Sequence, residues 1–93
     1  MKMPFPSLEQ VEFTRSSYPP GTRIVLNSMD DPYAPVEPGT RGNVRYVDDA
    51  GQLGVVWDNG RSLSLIPGVD RFRKLTQQEI NQEQSLTMEE MKV

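Results

Sequence analysis

The sequence predicts a mainly β domain, a small five-stranded antiparallel barrel that is closed or nearly closed, and three observations carry that prediction. Strand-like runs of alternating apolar and polar residues fill 42–66; glycine- and proline-rich connections separate five such runs within about sixty residues; and Asn59-Gly60 is a strong short-range hairpin signal. Closure of such a sheet also removes the exposed edges that invite aggregation.

The centre of the chain is the meander from Gly42 to Ile66. Val44 and Tyr46, then Leu53, Val55 and Trp57, then Leu63 and Leu65 recur at every second position, which assigns each set to one face of its strand. Asn59-Gly60 suits a type I′ turn, in which both central residues need positive φ, and such a turn would set the register of the second hairpin.

The flanking elements follow from local signals. Ser7 and Gln10 have the spacing of a capping box, with Leu8 and Val11 on one side, so about two turns of helix are expected from Leu8 to Arg15, placed to close one end of the barrel. Pro19-Pro20-Gly21 ends it, because proline cannot continue a helix. Thr22 to Asn27 reads as the first strand, with Ile24 and Leu26 on one face and Arg23, Val25 and Asn27 on the other. Pro67 to Asp70 reads as a tight turn and Phe72 to Leu75 as the last strand. Thr76 and Glu79 repeat the capping-box spacing, but the Gln- and Glu-rich residues beyond Ile80 carry few apolar positions and are expected to fray. Three segments result: a lead-in and helix over 1–18, the barrel over 19–75, and an acidic, partly helical or disordered tail over 76–93.

Composition restricts the chemistry. The chain has 93 residues, no cysteine and no histidine, which removes disulfides, thiolate nucleophiles, imidazole acid–base pairs and the usual zinc ligands. No metal or other cofactor is expected. Ser62 and Ser64 lack a base to activate them, and no glycine-rich loop precedes a helix and a lysine as phosphate cradles require. Asp30-Asp31 and Asp48-Asp49 lack the ligand spacing of a calcium loop and fall in turns, where aspartate caps backbone amides. A non-enzymatic protein is expected. From Pro19 to Leu75 basic and acidic residues balance, so the net charge of −3 belongs to the tail, which holds Glu79, Glu83, Glu89 and Glu90 against Lys92. A balanced body lacks the broad positive field of a phosphate-tracking protein. No apolar run reaches membrane-spanning length and no signal peptide is legible, so a cytoplasmic location is expected, with no membrane partner.

Binding residues are sought in the long connection Ser28 to Thr40, stiffened by Pro32, Pro35 and Pro38. Met29, Asp30, Asp31 and Tyr33 lie on it and, with Trp57, form the candidate partner-binding set. Trp57 either anchors the core or, at the rim, forms a peptide groove with Tyr33; its place among Leu53 and Val55 favours the core. Arg41, Arg45 and Arg61 form the alternative set, a small basic patch for nucleic acid.

Several motifs resemble a small bacterial family of unknown function. They are Phe5-Pro6-Ser7, Glu9-Gln10-Val11-Glu12, Tyr18-Pro19-Pro20-Gly21-Thr22-Arg23, Ser28-Met29-Asp30-Asp31-Pro32-Tyr33-Ala34-Pro35-Val36, Pro38-Gly39-Thr40, Val47-Asp48-Asp49, Trp57-Asp58-Asn59-Gly60 and Leu65-Ile66-Pro67-Gly68-Val69-Asp70. The resemblance runs from about Phe5 to Leu75 and implies an SH3-like barrel, with the short N-terminal helix and the short or frayed helical tail at its two ends. It also implies a setting in mobile elements, conjugative elements and phages of gut Firmicutes. At Gly54 the chain departs from the pattern, since relatives look to carry a larger, often polar residue such as His. No catalytic residue is carried over. The function expected is that of a protein-binding module of a mobile element, in its sharper form an inhibitor of a host defence nuclease of the anti-CRISPR kind. The alternative is a nucleic-acid-binding accessory factor.

Overall fold

The computed structural model describes residues 7–29, 33 and 36–91, with backbone alone over 86–91. Helix α1 spans Leu8–Ser17, strands β1 to β4 span Arg23–Ser28, Arg41–Val47, Leu53–Trp57 and Arg71–Lys74, and helix α2 spans Gln77–Met91. Both expected capping boxes form. The Ser7 hydroxyl accepts from the Gln10 amide at 3.2 Å while Gln10 Oε1 accepts from the Ser7 amide at 2.9 Å. Thr76 and Glu79 reciprocate in the same way at 3.1 and 2.8 Å. α1 runs two residues past the expected Arg15, and α2 continues to Met91, so the expected fraying after Ile80 is replaced by a continuous helix.

The strands form one open antiparallel sheet in the order β3-β2-β1-β4. The expected count was five. Residues 61–66 do return alongside β3, through the bridges Leu53↔Leu65 and Val56↔Ser62, but they form no continuous strand. One face of the sheet carries the core: Ile24, Leu26, Val44, Val47, Leu53, Val55 and Trp57, joined by Leu65 from the returning segment and Val36 from the long connection. Gly42 sits on this face because Trp57 packs over it; a Cβ there would lie 2.9 Å from the indole, from Val55 and from the Val56 carbonyl.

Two local departures decide which side chains face out. Between β2 and β3 the register shifts from Val44↔Val55 to Tyr46↔Gly54, a bulge that absorbs Arg45. Tyr46 therefore leaves the face of Val44, to which the alternation had assigned it, and Val47 takes the core position instead. The second departure is the hairpin turn. Gly60 alone of its central residues has positive φ, at 89°, and Asn59 does not, so the turn is not type I′. It is a three-residue loop in which the Trp57 carbonyl accepts from the Gly60 amide and the Trp57 amide donates to the Arg61 carbonyl. The hydrophobic pattern explains this choice. A two-residue turn would set Leu53 opposite the exposed Ile66, whereas the three-residue loop sets Leu53 opposite the fully buried Leu65.

α1 rests against the end of β2. Val11 is buried, and the Arg15 guanidinium donates to the Val47 carbonyl at 3.3 and 3.1 Å while pairing with Glu12 and Asp49. At the β4 edge of the core-bearing face, Tyr18 stacks obliquely on Phe72, and Lys74 lies over the Tyr18 ring.

Candidate functional site

Of the long connection, the described Met29 and Val36 pack on the body. Val36 is buried in the core and Met29 packs partly against it, so Met29 is a support of the connection more than a projecting anchor. Tyr33 differs from both, being 91% exposed. Asp30 and Asp31 lie outside the described residues. Trp57 is 1% exposed, and its indole Nε1 donates to the Leu63 carbonyl at 3.1 Å. The groove reading of Trp57 is thereby excluded, and of the described partner-binding candidates Tyr33 alone is largely exposed.

The alternative trio is not assembled. Arg41 lies on the outer face of the sheet, its guanidinium bound to Glu83 at 3.0 Å and near Glu79 at 3.7 Å. Arg45 lines a shallow outer depression with Tyr46, Gly54, Val56, Ser62 and Ser64. Arg61 stands opposite Trp57 in the hairpin, and the strand alternation turns it to the face opposite that of Ser62.

A different cluster emerges on the outer face, and it was missed because its members are far apart in sequence. Arg41 of β2 and Arg73 of β4 both pair with Val25 of β1, so the three stand in one cross-strand row, with Arg23 two residues away on the same face. Arg23 forms a two-pronged bond with Asp58, at 2.8 Å on each prong, and also grips Glu83. Arg73 forms a second two-pronged bond with Glu79, at 2.8 and 3.0 Å. These contacts shift the acids in one direction. Arg73, then the Thr76 amide, pulls the Glu79 carboxyl down to about 2. Arg23 lowers Asp58, and Arg23 with Arg41 lowers Glu83. The Arg23 guanidinium is raised by Asp58 and Glu83. Carboxyls shifted this way hold ion pairs well and accept protons poorly. No local signal in the sequence marks the cluster, because the row depends on β4 pairing with β1, which sets Arg73 across Val25 from Arg41.

Asp48 acts as the turn residue it was expected to be, its Oδ1 accepting from the Ala50 and Gln52 amides. Asp70 likewise accepts from the Ile66 amide across the Pro67-Gly68 turn. A second depression, between α1 and this turn, is lined by the apolar Phe13, Ile66 and Val69. Among the described residues no cluster of acidic side chains is arranged to hold a metal ion, and no helix is long and apolar enough to cross a membrane.

Fold and surface together define a small, mainly β domain whose outer sheet face holds Arg23, Arg41 and Arg73 in ion pairs with Asp58, Glu79 and Glu83. The chain belongs to the family described as Domain of unknown function (DUF4314), whose model matches residues 7–75. Searches of curated proteins and of solved structures each found no match.

Proposed function

We propose that this chain is a non-enzymatic protein-binding module that docks on its partner through the tip of the 29–40 connection, with Tyr33 as anchor. The observation that carries the proposal is the contrast within that connection: Val36 and Met29 turn inward, while Tyr33 stands 91% exposed. A large aromatic held out by a connection already fastened to the core loses little conformational freedom on binding, and aromatic side chains of this kind dominate interface energetics. Asp30 and Asp31 flank it in sequence and complete the proposed contact surface. Glu79, Glu83 and Asp58, held in their ionised form by arginines, are poorly suited to proton transfer.

In its sharper form the module belongs to a mobile element and acts in the bacterial cytoplasm as an inhibitor of a host defence nuclease of the anti-CRISPR kind. The small size of the chain and the family resemblance support that form. The finer fold reading is an SH3-like barrel in which residues 61–66 serve as the fifth strand, supported by their antiparallel bridges to β3. A nucleic-acid site made of Arg41, Arg45 and Arg61 has less support, because the register separates them. The test is capture of the partner by wild type and by Tyr33→Ala: the proposal expects loss of capture with an unchanged melting transition.

A further inference from the structure

Arg23, Arg41 and Arg73 come from three different strands and converge on one face, where all three pair with Glu79 or Glu83, one turn apart on α2, and Arg23 is also held by Asp58. The arginines lie within the residues that the family model matches, 7–75, and the carboxylates lie beyond them. Over its described side chains α2 offers little apolar surface. Ile80 is the one apolar residue between Gln77 and Ser85, and it is half-buried. An attachment built on ion pairs at the surface is weakened by salt and open to competition by another polyanion.

The same face names the competitor. Tyr46, turned outward by the bulge at Arg45, is seated over Gly54, where a Cβ would collide with its ring, and it remains 56% exposed. Asn43, paired with Arg23, lies three residues from Tyr46 along β2, a distance of about 10 Å at the rise of a strand. Arg45, Ser62 and Ser64 line the depression beside the ring. A row of guanidinium groups followed by an aromatic ring with one face supported is the arrangement that holds single strands, with phosphates on the cations and a base on the ring.

We infer that the outer face of the sheet is a binding surface for single-stranded nucleic acid, with α2 as an internal cover whose Glu79 and Glu83 occupy the phosphate positions. The inference is independent of the Tyr33 reading. Uncovering the face leaves Arg41 and Arg73 for phosphate, Arg23 staying bridged to Asp58, and Tyr46 for a base; the closed chain binds weakly because its own carboxylates stand in the way.

The test measures binding of a fluorescent oligo-dT to the full chain at low salt, with folding followed by the fluorescence of the buried Trp57. Glu79→Gln with Glu83→Gln is expected to raise affinity about tenfold or more, with a slope of log K against log salt of about −1.4, the value for two phosphate contacts on a single strand. Adding Tyr46→Ala or Arg73→Gln to that variant is expected to remove most of the gain, and Tyr33→Ala to leave it unchanged. The absence of a gain overturns the inference, as does a gain indifferent to Tyr46 and Arg73, which would reflect relief of general repulsion. Equal binding of poly-glutamate, indifferent to Tyr46→Ala, overturns it in favour of an acidic protein ligand. If the double variant does not fold, NMR of the wild-type arginine side chains decides: oligo-dT is expected to shift the Nε signals of Arg23, Arg41 and Arg73, and their constancy at saturating oligonucleotide overturns the inference.

Discussion

Trp57 packs directly over Gly42, and that contact holds β2 and β3 together on the core side of the sheet. A methyl group at residue 42 meets the indole, Val55 and a backbone carbonyl at 2.9 Å, none of which is an exposed, movable chain end. Gly42→Ala is therefore expected to cost about 1–3 kcal/mol, the usual range for overpacking. Gly54→Ala makes a useful contrast. The group it meets is the exposed Tyr46 ring, which swings aside into solvent, so a smaller loss is expected in the same chemical denaturation measurement. Equal losses at the two sites would show that the Tyr46 ring is fixed in place.

The hairpin turn gives a second prediction. Gly60 carries the positive φ of the three-residue loop, whereas Asn59 does not, and its Oδ1 accepts from the Arg61 amide at 2.9 Å. Gly60→Val is expected to cost about 1–3 kcal/mol through backbone strain, and Asn59→Val about 0.5–1.5 kcal/mol through the lost hydrogen bond. In a type I′ turn both residues would need positive φ and the valine at residue 59 would be strained as well. Matching losses in thermal denaturation would thus restore the two-residue turn.

These two sites also mark how far the fold was legible. Local signals read well: both capping boxes formed, and alternation placed Leu53, Val55, Trp57 and Leu65 on the buried side. Tyr46 was misplaced because a bulge adds one residue to one strand without altering the apparent period of the sequence. The turn was misassigned because Asn-Gly serves both two- and three-residue loops, and the choice rests on whether Leu65 or Ile66 faces Leu53. The extent of α2 was not legible at all. Its Gln- and Glu-rich sequence offers no apolar stripe, and its anchors are Arg23 and Arg41, distant in sequence and brought near by strand pairing. For the binding residues, alternation already favoured the core for Trp57, which is buried, whereas the exposure of Tyr33 had no signal in the sequence.

The third prediction concerns acid. Glu79, Glu83 and Asp58 all have lower pKa values in the folded chain than in the unfolded one. The stabilisation they provide is accordingly complete above the unfolded carboxyl values, near 4, and is lost as pH falls through the folded values, about 2 for Glu79. α2 is expected to stay on the sheet at pH 5 and to come away between about pH 4 and pH 2, as read from its amide signals by NMR. Detachment between pH 6 and 5 would show that these ion pairs do not hold it. Concentrated salt at neutral pH is expected to loosen α2 while leaving the Trp57 environment unchanged.

The most direct test of the proposed function compares quantitative affinity capture, from the natural host, by three forms of the chain: wild type, Tyr33→Ala, and the reversal of Arg41, Arg45 and Arg61 to Glu. Tyr33 is almost fully exposed, so its loss leaves the core intact and removes the proposed anchor. The account predicts one protein captured stoichiometrically by wild type, retained by the arginine reversal and lost by Tyr33→Ala at an unchanged melting temperature. Retention of that protein by Tyr33→Ala, with its loss in the arginine reversal, would contradict it.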